Sequence, residues 1–236
     1  MTGAADRAPE TAMVLAAGFG TRMGGLTKDR PKALLPVAGK ALVDHALDAC
    51  VAAGVSRAVV NLHYLGDQIR QALAGRTAPE IVFSEEPEIL ETGGGILNAL
   101  PLLGAAPFFT LNADAIYAGP PPLSLLASAW GAEMGALLHL VPREQAIAHA
   151  GPGDFFLDEA GRIARRGGAE TAPFVYTGAQ IITPEAFDGA PAGAFSTNLI
   201  WDELIAAGRA FGVVHPGVWV DVGTPEGLAR AEAAVL

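Results

Sequence analysis

Short apolar runs alternate with segments of helical spacing through the first 140 residues, and that alternation restricts the fold more than any other feature. The spacing predicts a strand at Ala12–Ala17, a helix at Ala41–Ala53 closed by Gly54, a strand at Arg57–Leu62, a helix at Leu65–Ala74 and a strand at Glu80–Ser84. A helix from Gly94 to Leu100, a strand at Phe108–Asn112, a helix around Leu123–Trp130 and a strand at Met134–Val141 continue the series. Such a series implies an α/β fold with a mostly parallel, Rossmann-like twisted sheet and helices on both faces. Ligands of such sheets bind beyond the carboxyl ends of the strands. After Pro142 the chain turns β-rich: a hairpin of Asp154–Leu157 with Arg162–Arg165, and a longer strand at Phe174–Thr183. A helix at Thr197–Ala207, strands at Phe211–His215 and Val218–Val222, and a closing helix at Pro225–Val235 complete the pattern. No polar linker separates the two parts, so one domain is expected, with the second part and the tail helix packed on the first.

Charge is distributed unevenly. The 236 residues carry a net charge of −10, which excludes a nucleic-acid or membrane binder that works by bulk electrostatics. Yet all three lysines, Lys28, Lys32 and Lys40, fall in one stretch with Arg22 and Arg30, and Asp29 is its only acid. Glycines and prolines around the cluster argue against a solvated helix face and for an anion site. The single cysteine, Cys50, excludes an intramolecular disulfide and a thiolate zinc cluster; its apolar helical setting reads as a buried structural thiol in a reducing cytoplasm. Neither a signal peptide nor an apolar span of membrane length is visible, so a soluble cytoplasmic protein is expected.

The basic cluster contains the strongest motif, Leu15-Ala16-Ala17-Gly18-Phe19-Gly20-Thr21-Arg22-Met23, followed by Pro31-Lys32-Ala33-Leu34-Leu35-Pro36-Val37. Gly18 and Gly20 directly after a strand let backbone N–H groups approach a phosphate, and Arg22 and Lys32 supply charge. The loop suits a polyphosphate. It is not a P-loop, which needs Gly-Lys-Ser/Thr after four residues, and Met23 stands where a dinucleotide fingerprint has its third glycine. Asn61, at the end of the second strand, stands where that fingerprint expects an acid, which disfavours a nicotinamide oxidoreductase.

These residues resemble the signature of the sugar-1-phosphate nucleotidylyltransferases, and the likeness runs over nearly the whole chain. Within that family the chain looks most similar to the short bacterial N-acetylmuramate-1-phosphate uridylyltransferases, through Leu90-Glu91-Thr92-Gly93-Gly94-Gly95, Gly153-Asp154-Phe155 and Trp219-Val220-Asp221-Val222-Gly223-Thr224. The resemblance implies a nucleotide-diphospho-sugar transferase fold, with a nucleotide-binding half at about 12–140, a sugar-binding half at about 141–224 and a C-terminal helix at 225–236. It implies an NTP and a sugar-1-phosphate as partners, joined with release of pyrophosphate, and Mg²⁺ held by carboxylates at Asp114 and Asp221. A hard cation of this kind needs few protein oxygens.

The same resemblance makes Arg22 and Lys32 catalytic. It puts the nucleotide on Leu15, Ala16, Ala17, Gly18, Gly20, Thr21, Glu86, Glu91, Thr92 and Gly93, with the carboxylate of Glu86 reading the base edge and the glycines letting a planar base approach. A carboxylate takes one donor from uracil or two from guanine, so Glu86 leaves the nucleotide open. The implied sugar pocket uses Asn112, Asp154, Thr177 and Gly178; Asp154 reads equally well as a hairpin residue. A lactyl carboxylate on the sugar would need a cation, and Arg143, Arg162, Arg165 and Arg166 are all available. The five histidines have no metal-ligand spacing, and His45 and His139 read as structural. The implied activity is UTP plus N-acetylmuramate-1-phosphate to UDP-N-acetylmuramate, in recycling of cell-wall sugars. A GTP:mannose-1-phosphate guanylyltransferase is the alternative enzyme, and a catalytically silent nucleotide-binding regulator the alternative that is no enzyme.

Overall fold

The computed structural model describes residues 8–235. In chain order it contains β1 (Thr11–Leu15), β2 (Pro36–Val37), β3 (Lys40–Ala41), α1 (Leu42–Ala52), β4 (Arg57–Leu62), α2 (Gly66–Leu73), β5 (Glu80–Glu85), α3 (Glu91–Leu103), β6 (Phe108–Asn112) and β7 (Ala115–Ala118). There follow α4 (Pro122–Ala129), β8 (Ala136–Pro142), β9 (Ala146–Ile147), β10 (Phe155–Leu157), β11 (Ile163–Arg165), β12 (Phe174–Ile182), α5 (Asn198–Ala206), β13 (Ala210–Val214), β14 (Val218–Asp221) and α6 (Pro225–Val235).

Strand side chains point alternately to two faces, and here both faces are buried. Ala12 and Val14 of β1, with Ala58, Val60 and Leu62 of β4, enter one core against Leu47 and Cys50 of α1 and Leu123 of α4. Met13 and Val59 enter the other, against Ile96 and Leu103 of α3 and Trp201 of α5. Each fully buried Val or Leu contributes about 1.5–3 kcal/mol, and truncating one such as Leu47 to Ala costs about 2–5 kcal/mol.

The large sheet is mixed. Strands β5, β4, β1 and β6 are parallel neighbours in that order. β12 then pairs antiparallel with β6 and with β8, while β13 adds a parallel edge on β8. Among β5, β4, β1, β6, β12, β8 and β13, β12 alone runs against the rest. One sheet therefore runs through both parts. The order of the parallel strands reverses between β1 and β6, which makes the carboxyl ends of those two strands the natural ligand crevice.

A second sheet, β7-β14-β9, stands beside this crevice. Its Ile116 and Val220 pack with Met23, Leu35 and Ala231 in a separate apolar cluster, which fastens α6 onto the body of the fold. Glu232 of α6 also accepts a hydrogen bond from the Ala38 N–H at 2.9 Å. Among the described residues no helix is long and apolar enough to cross a membrane.

Candidate active site

Immediately after β1 the backbone is held from the neighbouring strand. Asn61, buried at the end of β4, accepts hydrogen bonds on Oδ1 from the Ala16 N–H at 2.6 Å and the Ala17 N–H at 3.3 Å. Its Nδ2 donates to Glu86 Oε1 at 2.7 Å, and the Leu90 N–H donates to Glu86 Oε2 at 3.2 Å. One asparagine therefore ties the loop after β1 to the segment after β5. Gly20 then turns the chain at φ 63° into the short helix Thr21–Thr27. A Cβ there would stand 2.9 Å from Lys32 Cβ, so glycine both permits the turn and lets Lys32 lie against it. Met23, 1% exposed, anchors that helix in the apolar cluster beneath.

Two carboxylates far apart in the sequence are brought together by strand pairing. Asp114 follows β6 and precedes β7, Asp221 ends β14 opposite Ala115, and the Val222 N–H donates to the Asp114 carbonyl at 3.2 Å. Lys32 Nζ lies 2.5 Å from Asp114 Oδ2, with the lysine side chain 11% exposed and the carboxylate 34%. Arg22 converges from the other side: a Cβ on Gly223 would sit 2.8 Å from Asp221 Oδ1 and 2.9 Å from each terminal nitrogen of Arg22. Burial pushes the Asp221 carboxyl up, but His149, Arg22 and Lys32 outweigh it and hold the group below its ordinary value. His149 Nδ1 is 3.7 Å from Asp221 Oδ2, an electrostatic contact rather than a hydrogen bond, and its ring rests on Trp219.

Arg22, Lys32 and Asp114 lie on a cleft of about 290 Å³ also lined by Leu15, Ala16, Ala17, Gly18, Gly20, Thr21, Asn61, Glu86, Glu91, Thr92, Asn112 and Gly223, the last beside Asp221. A second cleft, also about 290 Å³, shares Leu15, Thr92 and Asn112 with the first and extends to Asp154, Arg165, Tyr176 and Trp201. Two ligands placed in the two clefts would meet at the shared residues.

A sequence model of the MobA-like NTP transferase domain matches residues 12–210. The chain belongs to that family. It is 46% identical over 237 residues, covering 97% of this chain and 98% of the other, to an N-acetylmuramate alpha-1-phosphate uridylyltransferase of Caulobacter vibrioides. To the protein of the same name from Neisseria meningitidis it is 39% identical, covering 94% and 96%. The crystal structure of a UDP-glucose pyrophosphorylase complexed with UDP-glucose superposes with a TM-score of 0.80 at 18% identity, covering 96% and 98%, a likeness of fold.

Not every expected site residue of this nucleotidyltransferase lines the two clefts. Gly93 is buried inside α3, where a Cβ would strike the Phe195 ring at 2.4 Å and where its N–H bonds the Phe195 carbonyl at 2.8 Å. Gly93 and Gly94 thus make room for the protein's own segment at 193–195, while Gly95 faces Glu86 and Asn61. Thr177 is 1% exposed and faces away from both clefts: its Oγ1 meets His139 Nδ1 at 2.8 Å and donates to the His139 carbonyl at 3.1 Å. Gly178, at φ 89°, lies under Asn112, and a Cβ there would approach the Asn112 side chain to 2.8 Å. It supports a cleft residue without lining the cleft. Glu86 lines the cleft at 4% exposure, but each oxygen already accepts a hydrogen bond from within the protein, while Glu85 and Glu88 are exposed. Asp154 does face the second cleft, and its Oδ2 also accepts the Tyr176 N–H at 2.9 Å.

Asn61, Tyr176 and Trp201 are among the cleft residues that the sequence does not single out, and of the four candidate arginines only Arg165 lines a cleft. The signal for Asn61 was present in its position at a strand end beside the glycine loop, where it was read only as a missing acid. Among the described residues no group of three or more His, Cys, Asp or Glu side chains is arranged to hold a metal. Asp114 and Asp221 offer two carboxylates, a donor set that suits a hard cation sharing its shell with phosphate and water.

Proposed function

We propose that this nucleotidyltransferase joins UTP and N-acetylmuramate α-1-phosphate to give UDP-N-acetylmuramate and pyrophosphate. The observation that carries the reading is the convergence of Arg22, Lys32 and Asp114 on one cleft, with Asp221 beside Arg22 at Gly223, next to a second cleft that shares Leu15, Thr92 and Asn112 with the first. Likeness over almost the full length to uridylyltransferases of that name supports the choice of substrates.

In this reading an oxygen of the sugar phosphate attacks the α-phosphorus of UTP, and the bond from that phosphorus to the bridging oxygen breaks as pyrophosphate leaves. A phosphate monoester with a second pKa near about 6 is already largely dianionic at neutral pH, so no protein base is needed. Catalysis rests on position and charge. Arg22 meets the β- and γ-phosphates and the charge that grows on pyrophosphate. Lys32 bridges the α-phosphate and the attacking phosphate, which it reaches by exchanging its contact with Asp114. Asp114 and Asp221 would hold Mg²⁺, which when bound neutralises phosphate charge. The depressed pKa of Asp221 keeps that carboxylate ionised.

The loop Leu15–Thr21, with Glu86, Glu91 and Thr92, forms the wall for the nucleotide. Because Asn61 takes the N–H groups of Ala16 and Ala17, nucleotide selection falls to the remaining backbone groups of this wall. Asn112 and Asp154 address the sugar. Residues 12–140 then act as the nucleotide half and 141–224 as the sugar half of one catalytic unit closed by α6, working in the cytoplasm on small molecules alone and serving cell-wall sugar recycling.

Pyrophosphate release measured across four NTPs and a panel of sugar-1-phosphates tests the proposal. Release with UTP and the muramate substrate, well above other pairs, is the expected result. Release only with GTP and mannose-1-phosphate, or with no pair, contradicts it.

A further inference from the structure

We propose that Arg165 receives the lactyl carboxylate of the sugar and sets the preference for an acidic over a neutral sugar phosphate; the inference rests on the function proposed above. Muramate differs from the parent N-acetylated sugar by one lactyl ether, so selecting it means recognising a carboxylate in a cleft that must otherwise accept hydroxyl groups. Among the residues that line the second cleft, Arg165 alone carries a positive charge, and Asp154 is the only acid.

Arg165 is also built for the task. It ends β11, and its guanidinium lies over the Phe155 ring at 5.1 Å and the Trp201 ring at 5.4 Å. Nε donates to Asp202 Oδ1 at 2.7 Å, Nη1 to Asn198 Oδ1 at 2.9 Å and Nη2 to the Asn198 carbonyl at 2.8 Å. A guanidinium has five N–H donors, so one N–H on each terminal nitrogen stays uncommitted and can donate to a carboxylate. Three anchors and two rings fix the side chain before substrate arrives, which removes most of the ordering cost of binding. Asp202 is 59% exposed on its side chain, so solvent screens its charge and the ion pair leaves a usable positive field at the cleft.

The other arginines of this region are turned to other work. Arg162 Nε donates to the Gly208 carbonyl at 3.3 Å with its guanidinium over Phe211, and Arg166 Nη1 donates to the Ala169 carbonyl at 2.8 Å. Neither these two nor Arg143 lines the two clefts.

The test is steady-state kinetics with UTP and two sugars that differ only in the lactyl ether, N-acetylmuramate 1-phosphate and N-acetylglucosamine 1-phosphate, on the wild-type protein, Arg165→Met and Arg165→Lys. In Arg165→Met the ratio of kcat/KM for the acidic sugar to that for the neutral one falls by about 10- to 100-fold, the value of one charge-assisted contact, chiefly through KM of the acidic sugar. Arg165→Lys, which keeps charge and stem but loses the fork, falls by an intermediate factor and serves alone if the methionine variant fails to fold. Wild-type protein without preference for the acidic sugar overturns the functional reading and this inference together. Wild-type preference that persists within twofold in the variants overturns Arg165 and leaves the functional reading standing.

Discussion

Lys32 Nζ lies 2.5 Å from Asp114 Oδ2, so a cation and an anion that serve different parts of the substrates neutralise each other before either substrate is bound. In the proposed function, binding would exchange that contact for phosphate on Lys32, leaving Asp114 to hold a divalent cation. Lys32→Met and Asp114→Asn should each lower turnover by at least about 10², the size of loss on removing one group that stabilises transition-state charge. The double variant should lose less than the product of the two, because the two side chains are in direct contact and each single change leaves its partner unpaired. Pyrophosphate release by folded variants checks this, and near-normal turnover in either single variant contradicts it.

Asn61 links the Ala16 and Ala17 N–H groups to the Glu86 carboxylate. Asn61→Leu leaves those buried groups without partners, at about 1–3 kcal/mol for each one that water does not reach. Urea unfolding should report the loss of stability, and KM for UTP should rise more than KM for the sugar phosphate. A variant of native stability with an unchanged KM for UTP rules out the link.

Gly178→Ala places a Cβ 2.8 Å from the Asn112 side chain at a backbone φ of 89°. The strain should cost about 1–3 kcal/mol. Since Asn112 borders both clefts, the catalytic effect should appear mainly in KM for the sugar phosphate. An effect confined to KM for UTP would place Asn112 elsewhere in the reaction.

His139 and His215 stack in the interior with ring centroids 4.9 Å apart, and His139 Nε2 and His215 Nδ1 are buried without hydrogen-bond partners. Burial lowers both pKa values, with His139 pushed down to about 3 and His215 lowered less, and each ring stays neutral in the folded protein. For His139 the unfolded chain protonates near pH 6.5 and the folded protein only near about 3, so the unfolded state binds more protons between those values. The His139 contribution to stability is therefore full above pH 6.5 and falls as pH drops toward about 3, by up to about 1.4 kcal/mol per pH unit. Urea midpoints from pH 7 to pH 5 should decline, less steeply in His139→Leu, and parallel profiles would exclude the histidine.

The strands β4 and β6 have the bounds that their apolar runs imply, because a strand buried on both faces needs an unbroken run and polar or turn residues end it. β7 and β9 were not legible: Ala115–Ala118 and Ala146–Ile147 are too short to carry a period, and pairing with β14 makes them strands. α3 begins at Glu91, ahead of the expected Gly94, since contacts of its glycines with residues 193–195 offset their poor helix propensity. Arg22 and Lys32 stand out by type and spacing after a strand, whereas Asp114 and Asp221 are picked out only by the family resemblance. The small residues were not legible, because Gly93, Thr177 and Gly178 suit close approach by a ligand or by the protein itself, and only the packing of Phe195, His139 and Asn112 decides which.

The most direct test is the identity of the product when the protein receives all four NTPs at equal concentration with N-acetylmuramate α-1-phosphate. Mass spectrometry should find UDP-N-acetylmuramate as the dominant nucleotide sugar, equimolar with pyrophosphate and strongly diminished with Asp114→Asn. A different nucleotide on the sugar, or no nucleotide sugar, would contradict the account.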